Sequence, residues 1–154
     1  MTDYTGYTKR INELKNQDCF AKAKESDILY LKTLKFSEEI IGFYRENNPK
    51  YVIEINGIRL LPISKIKEEN INYTPGYILC PKGYCVIAST IYGDVYCIDF
   101  KNNVPSISIA SHDEIDEDLE NLQDKIIMIT NSFTDFLDRF IEGKLVSEYY
   151  DLEK

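Results

Sequence analysis

The sequence predicts an α+β protein, one sheet with helices packed around it, and three observations lead there. Between residues 77 and 111 the run YILCPKGYCVIASTIYGDVYCIDFKNNVPSISIAS is rich in Tyr, Ile, Val, Cys and Thr and is broken only by turn signals. Such residues fit a pleated, half-buried surface, so the run reads as roughly four extended pieces cut at Pro81-Lys82-Gly83, Gly93-Asp94 and Asn102-Asn103. Upstream, Asn56-Gly57 stands between two short alternating segments, a strong hairpin signal. Downstream, Phe133, Phe136, Leu137, Phe140 and Ile141 fall at i, i+3, i+4, i+7 and i+8, one apolar face of a helix.

Taken in order, Tyr4, Tyr7, Ile11 and Leu14 predict an amphipathic helix over 5–16. Ser26 before Asp27 reads as the N-cap of a short helix with Ile28, Leu31 and Leu34 on one face. Ser37 caps the next helix, with Glu38 and Glu39 in its first turn, where the helix dipole favours negative charge. Ile40, Ile41, Phe43 and Tyr44 turn inward, and Asn47-Asn48-Pro49 ends the segment. Residues 51–56 alternate as a strand, 58–61 return from the Asn56-Gly57 turn, and Pro62 stops the pairing before a helical or turn segment over 63–70.

Within 95–100, Tyr96, Ile98 and Phe100 share one face and Val95, Cys97 and Asp99 the other, so this strand is expected inside the sheet. Residues 106–110 are expected nearer an edge. Residues 126–129 are a strand or the entry to the last helix. Ser132 caps that helix, with Asp135 three positions on, and Gly143 stops it.

Composition narrows the function. The chain of 154 residues suffices for one domain with its own core. Residues 1–10 lack the apolar centre of a signal peptide, and no run of apolar residues reaches membrane-spanning length, so a cytoplasmic protein with no membrane partner is expected. The net charge is −8, and residues 113–124 hold Asp113, Glu114, Asp116, Glu117, Asp118, Glu120 and Asp124 with no Lys or Arg. Those seven acids account for nearly all of the imbalance. A negative patch of this kind repels nucleic acid and attracts basic partners.

No catalytic signature stands out. Cys80, Cys85, Cys97 and His112 could be imagined as zinc ligands, but the C-x4-C spacing lacks paired C-x2-C knuckles, and the Cys residues alternate with Val and Ile as core residues do. The single histidine, His112, could act as a general base beside a carboxylate; a surface or strand-capping role is the simpler reading. No G-x-S-x-G, G-x-G-x-x-G or P-loop is present, and nothing calls for a cofactor. Asp94 and Asp99 lie five apart in a strand and so on opposite faces, which argues against a joint acid/base pair. Asp94 is expected to serve its turn, and Asp99 to close the strand or bind a backbone amide. For 113–124 two readings stay open. One is a solvated loop or exposed helix face, with Ile115, Leu119 and Leu122 anchoring one amphipathic helix; the other is a charge-complementary binding surface.

Four stretches, in this order, resemble the SUKH superfamily of Smi/Knr-type domains. They are FSEEIIGFYRENNP (36–49), IRLLPISKIKEEN (58–70) with its L-x-P turn and closing Asn, YGDVYCIDF (92–100) and SFTDFLDRFIEG (132–143). The order of the four is more specific than any one of them. The departures are a single Gly57 where many members have a Gly-rich loop, and Phe36-Ser37 where many have Leu-Pro. The resemblance implies one domain over 1–154 with a core at about 26–143, built on a single mixed, mainly antiparallel curved sheet with flanking helices. It implies structural roles for Gly93, Asp94, Tyr96 and Asp99. It also implies an immunity protein that neutralises a polymorphic bacterial toxin, commonly a nuclease, or alternatively a regulatory or scaffold module. In the first case the basic nuclease domain would meet Asp113, Glu114, Asp116, Glu117, Asp118 and Glu120, with Tyr84 and Tyr92 as apolar anchors.

Overall fold

The computed structural model describes residues 2–100, 105–118 and 120–152. Three helices open the chain. α1 (Thr5–Lys15) ends at Asn16 in the left-handed conformation. α2 (Glu25–Thr33) is preceded by Lys24 rather than Ser26, which lies inside the first turn. α3 (Glu38–Glu46) begins as expected, with Ser37 Oγ accepting from the Ile40 N–H at 3.3 Å. A short ribbon without a sequence signal, β1 (Phe20–Ala21) antiparallel to β2 (Asn48–Pro49), ties the α1–α2 link to the end of α3.

The main sheet follows. β3 (Ile53–Ile55) and β4 (Ile58–Leu60) form the hairpin, with Asn56 and Gly57 at φ +50° and +81°. Positive φ at both positions is what a two-residue turn matching the strand twist requires, and Asn-Gly supplies it at low cost. α4 (Ile63–Asn72) comes next, then a single turn α5 (Gly76–Leu79) running into a 3-10 turn at Cys80–Lys82. The expected first extended piece, from Tyr77, is therefore helical. Ile78 and Leu79 are both buried there, and a four-residue apolar run does not distinguish a strand from a buried helical turn.

Four more strands complete the sheet: β5 (Tyr84–Thr90), β6 (Val95–Asp99), β7 (Ser106–Ala110) and β8 (Ile126–Thr130). Their order is β3-β4-β5-β6-β7-β8, with every pairing antiparallel. The sheet is an up-and-down array rather than a mixed one, because each strand pairs with its successor in the chain. β6 is interior and buried on both faces, as its pattern predicted. The Asn102-Asn103 turn lies outside the described residues.

One polar device holds this sheet to a helix. β5 and β6 slip register between Val86 and Ala88, and the Leu61 N–H, just past β4, still reaches the Ile87 carbonyl. Beyond that point the buried Asn70 side chain continues the ladder. It accepts from the Val86 N–H at 2.8 Å and donates to the Val86 carbonyl at 2.9 Å and to Ile66 at 2.7 Å. An amide side chain thus replaces a missing strand residue and fixes α4 against β5.

On the other side of the core, α6 (Phe133–Glu142) starts with Ser132 Oγ accepting from the Asp135 N–H. The Asp135 carboxylate turns to Arg139 instead of closing the capping box. All five predicted core residues of α6 are buried, and Phe133 and Phe136 pack against Phe43 and Tyr96.

Tyr44 is fully buried, and its hydroxyl finds no hydrogen-bond partner among the described residues. Tyr44→Phe should therefore stabilise the fold by about 1 kcal/mol, because it removes a desolvated donor and little packing. Asn70→Ala should cost roughly 2–4 kcal/mol, since it strands both Val86 main-chain groups in the interior. Chemical denaturation of the two variants checks both signs.

Candidate protein-interaction rim

The functional candidate is one end of the sheet, where the β5–β6 turn, the end of β7 and the C-terminal segment meet. The turn is shaped by Thr90, whose Oγ1 accepts from the N–H groups of Tyr92 and Asp94, both at 3.2 Å. Gly93 has φ +91°, and a Cβ there would crowd the His112 ring at 3.3–3.5 Å, so both conformation and space select glycine. The Ile91 N–H donates to the Gly57 carbonyl, which joins this turn to the neighbouring hairpin. Ile91 and Tyr92 are left exposed at the tip, Tyr92 by 53%.

Asp94 lies beneath, only 3% exposed. Its Oδ1 accepts from the His112 N–H at 3.2 Å and lies 2.9 Å from His112 Nδ1. Its Oδ2 accepts from the Tyr149 N–H at 2.8 Å. The expectation that Asp94 serves its own turn is corrected: the Thr90 hydroxyl does that, and Asp94 instead links β6 to the end of β7 and to the C-terminal turn (Tyr149–Asp151). The C-terminal segment is held a second time by Tyr96, whose hydroxyl donates to the Val146 carbonyl at 2.6 Å. Asp99 sits at the far end of β6, opposite Tyr84.

His112 caps the strand end. Its Nε2 is 3.2 Å from Asp113 Oδ1, so both ring nitrogens face carboxylates. The thiols lie elsewhere. Cys19, Cys85 and Cys97 are buried, and burial pushes the Cys85 and Cys97 thiols up. A hydrogen bond with Cys85 holds the Cys80 thiol below its ordinary value. Among the described residues no three His, Cys, Asp or Glu side chains gather to hold a metal, and no helix is long and apolar enough to cross a membrane.

Of the two forms left open for the acidic segment, loop or amphipathic helix, its described residues take the loop: they fold as turns, followed by a 3-10 turn at Leu122–Lys125. Ile115 and Leu122 are buried anchors as expected, while Leu119 lies outside the described residues. Like charges at i, i+3 and i, i+4 would destabilise a helix here, and Asp116 Oδ1 accepts the Asp118 N–H at 2.9 Å, a local bond that competes with helix formation.

Three cross-links fix the loop. Glu117 accepts from the Tyr77 hydroxyl, which raises the Tyr77 phenol above its ordinary value. Glu114 accepts from the Tyr150 hydroxyl at 3.0 Å and pairs with Lys125 at 3.4 Å. The structure therefore gathers Tyr92, His112, Asp113, Glu114 and Tyr150 on one rim, with Glu117 held toward α5. It does not place Tyr84 there. That side chain is buried (7% exposed) at the opposite end of β5, and offers no anchor.

Tyr77 and Tyr150 are the contributors that sequence reasoning missed. The Tyr149-Tyr150 pair after the Gly143 stop was the one available signal for the second.

The class that the fold and this end of the sheet define is an α+β domain with an acidic, tyrosine-bearing rim. A family model narrows the class further. The SMI1 / KNR4 family (SUKH-1) matches residues 29–139, most of the chain, and the chain belongs to that family. Its members are generally non-catalytic immunity or regulatory proteins that act through protein–protein interaction. No curated protein and no solved structure matches the chain. α1 and the C-terminal clasp on Asp94 fall outside the matched span.

Asp94→Ala leaves the buried Tyr149 N–H and the His112 amide without acceptors. It should cost roughly 2–4 kcal/mol and free the chain beyond Gly143. Limited proteolysis should then cut selectively within 144–152, while His112→Ala, which keeps the Tyr149 bond, stays resistant there.

Proposed function

We propose that this protein is a cytoplasmic immunity protein that binds a cognate bacterial toxin, a basic nuclease domain, and neutralises it by stoichiometric occlusion. The observation that carries the reading is the concentration of charge. Nearly all of the net −8 sits in 113–124, beside the exposed side chains of Ile91, Tyr92 and Tyr150. A nuclease groove built to hold phosphates is positive, and a negative rim can occupy it while nucleic acid is excluded by like charge. Charge would speed the encounter, and tyrosines next to it would supply the desolvated contacts that dominate affinity. Asp113, Glu114, Asp116, Glu117, Asp118 and Glu120 are the proposed contacts, with Tyr92 and Tyr150 as anchors.

Family membership also supports a second reading, a regulatory or scaffold module whose partner is another cellular protein. The two differ in what protects the cell. Co-expression with the product of the neighbouring gene should rescue growth and give a co-purifying one-to-one complex in the first case, and no rescue in the second.

Replacing Asp116, Glu117 and Asp118 together by Lys should lower the association rate for the basic partner by about 10–100-fold at low salt, with the gap narrowing as salt rises. Stopped-flow kinetics across ionic strength measures this. An unchanged rate would remove the acidic segment from the interface.

A further inference from the structure

Of the four cysteines, only Cys80 reaches solvent. It is half-buried, while Cys19, Cys85 and Cys97 are each no more than 1% exposed. Cys80 opens the 3-10 turn Cys80–Lys82, and Gly83, at φ +97°, donates its N–H to the Cys80 carbonyl at 3.0 Å. The Gly83 carbonyl in turn accepts from the Phe100 N–H at 3.0 Å, which ties the turn to the end of β6. This tight reversal brings Cys85, the second residue of β5, behind Cys80, and the two thiols are hydrogen-bonded to each other. Pro81 and Lys82 are exposed, so the turn opens to water beside Cys80.

We propose that Cys80 and Cys85 form a peroxide-reactive dithiol, in which Cys80 takes the oxidant and Cys85 closes the disulfide. The roles follow from access. A sulfur open to water can meet hydrogen peroxide, and a fully buried one can react only through its neighbour. Burial also keeps Cys85 as the neutral thiol, while the hydrogen bond between them favours the thiolate, the nucleophilic form, at Cys80. Cys97 is not placed to compete. It pairs with Val86, the residue after Cys85, so its side chain leaves the sheet on the opposite face.

The Cys80 thiolate attacks one oxygen of hydrogen peroxide and the O–O bond breaks. Cys80 becomes a sulfenic acid, and the departing hydroxide takes up a proton to give water. The Cys85 sulfur then attacks the sulfenic sulfur, the S–O bond breaks, and hydroxide leaves with the Cys85 proton as a second water. The two thiols have lost two electrons and the peroxide has gained them. In a reducing compartment the resting form is the dithiol and the disulfide is transient. The pair lies at the end of β5 away from the rim, so it stands or falls separately from the toxin-binding reading.

Peptide mapping of the purified full chain tests this. The reduced protein, freed of reductant, is treated with a small molar excess of hydrogen peroxide under native conditions, then denatured, alkylated and digested with trypsin. Cleavage after Lys82 separates the two sulfurs, so the disulfide joins peptide 68–82 to peptide 83–101, and fragmentation between Cys85 and Cys97 assigns its partner. The link should run from Cys80 to Cys85 and vanish on treatment with dithiothreitol.

Cys80→Ser should abolish the link and leave Cys85 and Cys97 reduced. Cys85→Ala should leave the sulfenic acid stranded on Cys80, with dimedone labelling about tenfold above the wild-type level. Should that variant fail to fold, the wild-type map still decides. Wild-type protein without the Cys80–Cys85 link overturns the proposal, whether its thiols stay reduced, Cys80 passes on to sulfinic acid, or Cys80 bonds instead to Cys97 or to a second chain. Oxidation of Cys85 that persists in Cys80→Ser overturns it too.

Discussion

The Asp94 carboxylate accepts hydrogen bonds from two chain segments that reach β6 only by way of connections, the end of β7 at His112 and the C-terminal turn at Tyr149. Because it is buried, these bonds form where water does not compete, and leaving any donor unpaired would cost the desolvation of that group. The rim depends on this arrangement. Tyr92 is presented by the turn directly before Asp94, Asp113 and Glu114 follow His112, and Tyr150 follows Tyr149. One side chain thus sets the relative position of the exposed tyrosines and the first acids, although they come from three separate parts of the sequence.

Charge enters at a different level. The acids of 113–124 do not build the fold; they are tolerated because the segment is short of hydrogen-bonded secondary structure and anchored by two apolar residues, Ile115 and Leu122. Cross-links from Tyr77, Lys125 and Tyr150 spread the load over three elements and hold the loop against its own repulsion. Surface contacts of this kind are individually weak, so the loop is held in place mainly by its buried anchors. Such a design keeps most carboxylates facing water, where they act at long range on a charged partner rather than on the core.

The same sheet also shows how backbone polarity is managed where strands run out. Asn70 pairs with Val86 beyond the end of β4, and Lys15 covers a carbonyl on β3. β8, at the other edge, slips register against β7 at Ile129, a bulge that bends an edge strand.

The sequence by itself determined the α+β class, the Asn56-Gly57 hairpin, the capped helices at Ser37 and Ser132, the five-residue core face of α6 and the interior position of 95–99. Each of these rests on local conformational preference or on a repeat matched to a single element, and such information is written in adjacent residues. It also located the charge, since charge needs no fold to be counted. The tertiary structure alone decided that residues 77–82 are helical, that the acidic segment is a set of turns, that Tyr84 is buried while Tyr150 reaches the rim, and that Asp94 bonds across the sheet instead of within its turn. Those outcomes turn on which groups from distant segments arrive at the same place. Hydrogen bonds such as Asp94 to Tyr149, or Asn70 to Val86, span 55 and 16 residues and leave no periodic trace in the chain.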